Sequence, residues 1–221
     1  MMAASLKLGV LASGRGSNLQ AIIDAIEAKS LDAQIQAVIS DVTDAYALER
    51  ARKHGISAVT FHPRKYASRE EFDRVVVGCL RQHQVELVCL AGFMRILSPH
   101  FIREYKDRII NIHPALLPAF PGLHVQRKAL DYGAKFSGCT VHFVDEGMDT
   151  GPIIIQAVVP ILDGDDEDTL AARILRFEHQ IYPRAIQLIA QGRLQIEGRR
   201  VLCKDSESDD QKRQIWGYIN P

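Results

Sequence analysis

The stretch "LKLGVLASGRGSNLQ", residues 6–20, decides the fold class. An apolar run, Leu6–Ala12, gives way to a polar turn carrying Gly14 and Gly16, and a helical pattern opens at Asn18. A strand that feeds a helix through a glycine-rich turn is the opening of a βαβ unit. The same alternation continues downstream. Gln34–Ile39, Ser57–Phe61, Leu87–Leu90 and Arg108–Ile112 read as further strands, with amphipathic stretches at Asn18–Ala28, Ala45–His54 and Ser68–His83. Ser68 followed by Glu71 has the form of a capping box and starts the third helix there. Continuously apolar strands need cover on both faces. The expectation is therefore an α/β, Rossmann-like, mostly parallel sheet with helices on both faces.

The second half has a different grammar. Cys139–Val144 and Pro152–Val159 are strand-like runs joined by Asp145–Gly151, a link too short for a crossover helix. They are expected to pair antiparallel, so the C-terminal part carries antiparallel strands. Asp165–Ile181 reads as a helix with an acidic first turn, which suits the macrodipole. Pro183 is expected to break or restart it, giving a last helix to Gln191. Leu194–Leu202, with Gly198 at its middle, suggests a small hairpin. The expected organisation is a single domain over 1–203, in halves of about 6–112 and 113–203, and a polar tail over 204–221 whose Ile215–Ile219 segment docks back through Trp216.

Composition excludes several classes of function. With 221 residues and 47% hydrophobic content the chain can bury a good core, as one large domain or two small ones. Acids and bases balance at 27 each, which argues against nucleic acid as the main partner. An anionic ligand must then be held by a local pocket rather than a global field. Cys79, Cys89, Cys139 and Cys203 are scattered without a CxxC pair, so they read as reduced thiols rather than metal ligands. The apolar run Leu8–Ala12, interrupted by Gly9, is too short for a signal segment or a membrane span. The expectation is a cytoplasmic protein with small-molecule ligands, no membrane partner and no metal.

Two stretches carry candidate chemistry. The turn at Gly16, Ser17 and Asn18 can offer backbone and side-chain donors to a phosphate at a helix start. A dinucleotide fingerprint would need glycine where Leu19 stands, although Asp41 at the end of the second strand imitates the acid that binds an NAD ribose. The plainer alternative is a tight turn with Ser17 or Asn18 capping the helix. The second stretch is "NIHPALLPAFPG" from Asn111. Residues i and i+2 of a strand share a face, so Asn111 and His113 are presented together, and Pro114 ends the ladder beside them. That places an amide donor and a proton-transfer group at the carboxyl end of a strand, where open α/β sheets bind ligands. A nearby carboxylate would favour the charged imidazole. Asp149 in "DEGMDTGP" is a candidate, with Asp145 and Glu146 close by in the same loop.

Taken together, "LASGRGSNLQAII", "AGFMRILS", "NIHPALLPAFPG", "VHFV" and "DTGPIIIQ" resemble the glycinamide ribonucleotide transformylase branch of the folate-dependent formyltransferases. The likeness runs in one register from about Leu6 to Gln191. It implies a catalytic set of Asn111, His113 and Asp149, a phosphate site at Gly16, Ser17 and Asn18, and a ribose contact from Glu178. It further implies that the folate is held by main chain around Met94, Arg95, Ile96 and Leu97, by Arg69 near its glutamate tail, and by the loop from Val144 and Asp145 to Asp149. Without the resemblance, Glu178 reads as a solvated helix residue and Arg69 as an exposed first-turn arginine. The implied reaction moves the formyl group of the co-substrate 10-formyltetrahydrofolate to the amine of glycinamide ribonucleotide, in a monomer or homodimer. Asp41 and Thr150 depart from the family's usual asparagine and glycine. The alternatives are a formyltetrahydrofolate deformylase, a formyltransferase to another amine, a ligand-binding domain without catalysis, and an NAD-dependent oxidoreductase resting on Asp41.

Overall fold

A computed structural model describes residues 5–204. The polar tail beyond Lys204, with the Ile215–Ile219 segment and Trp216, lies outside the described residues. The chain forms two compact units. One runs to Asn111 and takes back Val144–Glu146; the other holds Ile112–Phe143 and the chain from Gly147 onward.

The first unit contains β1 (Leu6–Leu11), α1 (Ser17–Glu27), β2 (Ala33–Ser40), α2 (Tyr46–Lys53), β3 (Ser57–Thr60), α3 (Arg69–Gln82), β4 (Leu87–Leu90) and α4 (Pro99–Glu104). It also contains most of β5 (Ile109–His113), the strand along which the chain passes to the second unit. The strands lie parallel in the order β3-β2-β1-β4-β5. Leu11, Ile39 and Val88 form one core with Phe72, Val76 and Leu80 of α3 and Phe101 of α4. Gly9 is on that face too, because a Cβ there would come within 2.5 Å of Leu80 Cδ2. Leu8 and Val10 point the other way and are equally buried, so this sheet is covered on both faces, as expected.

Helix α3 starts where the Ser–Glu pair places it. Ser68 Oγ accepts the Glu71 N–H at 3.1 Å, while the Glu71 carboxylate reaches one residue past the cap to accept the Ala67 N–H at 2.7 Å. Helix α4 was not expected from periodicity, being too short to show one. Its start is nonetheless written as Ser98-Pro99, with Ser98 Oγ accepting the Phe101 N–H and Pro99 in the first turn.

The second unit holds α5 (Val125–Tyr132), β6 (Phe136–Phe143), β7 (Ile153–Pro160), α6 (Glu167–Ala190), β8 (Leu194–Glu197) and β9 (Arg200–Cys203). β6 and β7 pair antiparallel, as the short link requires, and β8 and β9 form the hairpin about Gly198 at φ 61°. Helix α5 is a further unexpected element, closed by Gly133 in the left-handed conformation. Two expectations about α6 are corrected. It begins at Glu167, two residues later than expected: Asp166 is the N-cap and forms a reciprocal capping box with Thr169, and Asp165 turns away to Arg173. Pro183 neither breaks nor restarts it, and one helix of 24 residues runs through. An interior proline costs a helix about 3 kcal/mol. Burial of Leu170, Ile174, Ile181, Tyr182, Ile186 and Leu188 along one face offsets that.

Candidate active site

Strand β5 ends one residue later than its apolar run suggests, so His113 is part of the strand. Asn111 is half-buried, and His113 is 4% exposed. His113 Nε2 lies 3.0 Å from the main-chain oxygen of Phe120, and Nδ1 lies 3.5 Å from Asp149 Oδ2. A carbonyl and a carboxylate both accept, so each ring nitrogen of His113 faces an acceptor.

Asp149 is positioned by backbone rather than by a rigid element. It adopts φ 55°, a left-handed conformation that aspartate tolerates better than most residues. Its Oδ2 accepts the Gly122 N–H at 2.8 Å. Sequence left Asp145, Glu146 and Asp149 open as partners of His113, and the carboxylate at ion-pair distance is that of Asp149. Val144 is tied elsewhere, its N–H donating to Ile109 O at 2.9 Å in the first unit.

Two contributors were missed by sequence reasoning. His142, buried in β6, sets Nε2 at 3.8 Å from Asp149 Oδ1, with Nδ1 2.8 Å from Phe143 O. The other is the "FPG" turn, whose Phe120 oxygen and Gly122 N–H hold His113 and Asp149. Thr140 Oγ1 donates to Ala115 O and accepts the Leu117 N–H, so this face of β6 braces the chain that follows β5.

In the first unit the glycine-rich turn is built around Gly16. It stands at the N-cap of α1 with φ 69° and makes no side-chain cap, so neither Ser17 nor Asn18 caps the helix; both lie in its first turn. A Cβ at Gly16 would sit 2.8 Å from Ala47 Cα, so glycine is required both for its φ and for close approach to α2. Gly14 O accepts the Ala47 N–H, and Arg15 O accepts Arg50 Nε, which hold the turn against α2. Asp41 accepts a 2.6 Å hydrogen bond from Ser13 Oγ, so the acid that suggested an NAD ribose site is already engaged.

The segment after β4 exposes Met94 (67%) and Ile96 (55%) and buries Leu97 and Ser98. The Arg95 guanidinium lies over the Phe72 ring at 4.9 Å. Arg69 is exposed in the first turn of α3. One turn on, buried Asp73 accepts the Ser98 N–H at 2.5 Å. Burial pushes the Asp73 carboxyl above its ordinary range, against the Ser98 hydrogen bonds and the charges of Arg69 and Arg95. In the second unit Glu178 is not a solvated helix residue: it is 7% exposed in α6. Burial, and secondarily the Glu178 charge, push the Cys139 thiol far up. Among the described residues no helix is long and apolar enough to cross a membrane.

A buried histidine 3.5 Å from a carboxylate at the end of a parallel strand marks an α/β protein with polar side chains gathered where open sheets bind ligands. The chain belongs to the formyl transferase family, whose pattern it matches over residues 6–186. It is 55% identical over 190 residues to the trifunctional purine biosynthetic protein adenosine-3 of Drosophila pseudoobscura pseudoobscura, covering 85% of this chain and 14% of that protein. The chain thus spans about a seventh of the length of its insect relative. It is 47% identical to the phosphoribosylglycinamide formyltransferase of Escherichia coli (strain K12), covering 86% of this chain and 90% of that one. Among solved structures, glycinamide ribonucleotide transformylase 1 from Symbiobacterium toebii superposes with a TM-score of 0.90 at 51% identity, over 91% of this chain and 95% of that one.

Proposed function

We propose that this chain is a cytoplasmic enzyme that transfers the formyl group of 10-formyltetrahydrofolate to the amine of glycinamide ribonucleotide, a step of purine synthesis. The observation that carries this reading is the buried His113–Asp149 pair, two strand positions from Asn111 on β5. When bound, the folate supplies the one-carbon unit, held by the main chain of Met94–Leu97 with Arg69 and the Val144–Asp149 loop. Asn111 and His113 donate N–H groups to the negative charge that develops on the transferred oxygen. His113 Nε2 already faces an oxygen, that of Phe120, and exchanging it for the substrate oxygen delivers the donor. The amine nitrogen bonds to the formyl carbon, the bond from that carbon to the folate N10 breaks, and the proton lost by the amine is matched by one gained at N10. Asp149 sustains the His113 imidazolium, which gives its proton toward N10 and is reprotonated from the amine, so the pair ends as it began. The first-turn N–H groups at Gly16, Ser17 and Asn18 take the phosphate of the ribonucleotide, and Glu178 takes its ribose. The test is a formyl-transfer assay on purified protein. Formylated ribonucleotide is the expected product; formate released without the amine would assign the chain to deformylation instead.

A further inference from the structure

Ser13 stands just before the glycine-rich turn, and the reaction above gives it no role. Its main-chain N–H donates to Gly92 O at 3.0 Å, carrying the β1–β4 ladder one step beyond both strands. Gly92, at φ 74°, then turns the chain, and the Met94 N–H comes back to Ser13 Oγ at 3.0 Å. The same hydroxyl donates to Asp41 Oδ1 at 2.6 Å, just past the end of β2. An ionised carboxylate can only accept, so the single hydroxyl proton is committed to Asp41 and the oxygen lone pairs are left for the Met94 amide. The direction of both bonds is thereby fixed. The far end of the segment is fastened separately, by Ser98 N–H on Asp73.

We infer that Ser13, oriented by Asp41, is a positioning residue that sets the main chain at Met94 for the folate. The inference rests on the formyl-transfer reading. It assigns work to Asp41, which the phosphate site does not use, and it joins the glycine-rich turn to the Met94–Leu97 segment through one hydroxyl. Loss of that hydroxyl frees one end of the segment while Asp73 keeps the other, so the expected defect is in folate binding and not in folding.

The test is calorimetric titration with an unreactive 5,8-dideazafolate analogue, alongside steady-state kinetics. Ser13→Ala and Asp41→Ala are each expected to raise Kd about ten-fold, the equivalent of one hydrogen bond. Asp41→Asn keeps an acceptor oxygen and is expected to stay within about three-fold of the parent, because a neutral acceptor is the weaker one. The double variant is expected to match Ser13→Ala alone, since Asp41 acts only through the hydroxyl. Thr43→Ala, exposed in the same β2–α2 connection, serves as the control. KM for the folate is expected to rise with kcat within about two-fold, as lost ground-state positioning predicts. Parent-like binding by Ser13→Ala, or effects of Ser13 and Asp41 that multiply, overturns the inference alone. Absence of any folate binding by the parent protein overturns the formyl-transfer reading and the inference with it.

Discussion

His113 is constrained on both ring nitrogens, and the consequences of losing it are specific. His113→Ala and Asp149→Asn are expected to lower kcat by about 10²–10³, the usual loss for one oxyanion-stabilising group, with circular dichroism unchanged. Turnover close to the parent in either variant would exclude the pair from the chemistry. At Gly16 a methyl group meets α2 at 2.8 Å and the backbone sits at φ 69°, so Gly16→Ala must move the turn. KM for glycinamide ribonucleotide is expected to rise about ten-fold or more, the scale of a strained left-handed residue with a lost donor. Legibility at this scale follows chain locality. Asn111 and His113 could be read because strand alternation and Pro114 fix their placement. Asp149 could not be chosen over its acidic neighbours, because its selection depends on a left-handed backbone and on the Gly122 amide. His142 gave no local sign, since one strand histidine looks the same packed in a core or facing a carboxylate.

Elements were legible where their period was long enough to count and obscure where it was not. Helix α6 overrode its own proline because a long buried face outweighs one missing hydrogen bond. Helix α4 (Pro99–Glu104) is too short to show a stripe, and α5 (Val125–Tyr132) is little longer. Gly138 on β6 is packed against main chain, and a Cβ there would fall 2.0 Å from the Ala157 oxygen of β7. Gly138→Ala is expected to destabilise by about 1–3 kcal/mol, since paired main chain cannot move aside. Thermal melting reads this as roughly 2–4 °C per kcal/mol for a chain of this size. On α3, burial raises the Asp73 carboxyl, so its ionisation opposes folding. Asp73→Asn keeps an acceptor for Ser98 and removes the buried charge; its Tm at neutral pH is expected to equal or exceed the parent's. Asp73→Ala leaves the Ser98 N–H without its acceptor and is expected to melt lower.

For the molecule as a whole, a balanced charge leaves pH dependence to individual groups. Asp165 is forked by Arg173 at 2.6 and 2.7 Å and accepts the Leu162 N–H, and the Arg173 hydrogen bonds foremost hold its carboxyl far below the usual range. A depressed folded-state pKa contributes stability above the unfolded value of about 3.9 and loses it as pH falls further. Melting temperature is therefore expected to drop below about pH 4, with a shallower slope in Asp165→Asn. An identical slope in that variant would remove Asp165 from the acid response. Asp73 has the opposite sign, and its protonation offsets part of the loss. By itself the sequence determined the alternation of strands and helices, the parallel first unit, the antiparallel pair and the strand-end placement of Asn111 and His113. Each follows from a period or a spacing carried by neighbours in the chain. Only the tertiary structure decided which carboxylate meets His113, that Glu178 is buried, that α6 runs through Pro183, and that Ser13 joins Asp41 to Met94. Those outcomes depend on backbone groups and packing faces from distant segments, whose meeting no local pattern encodes.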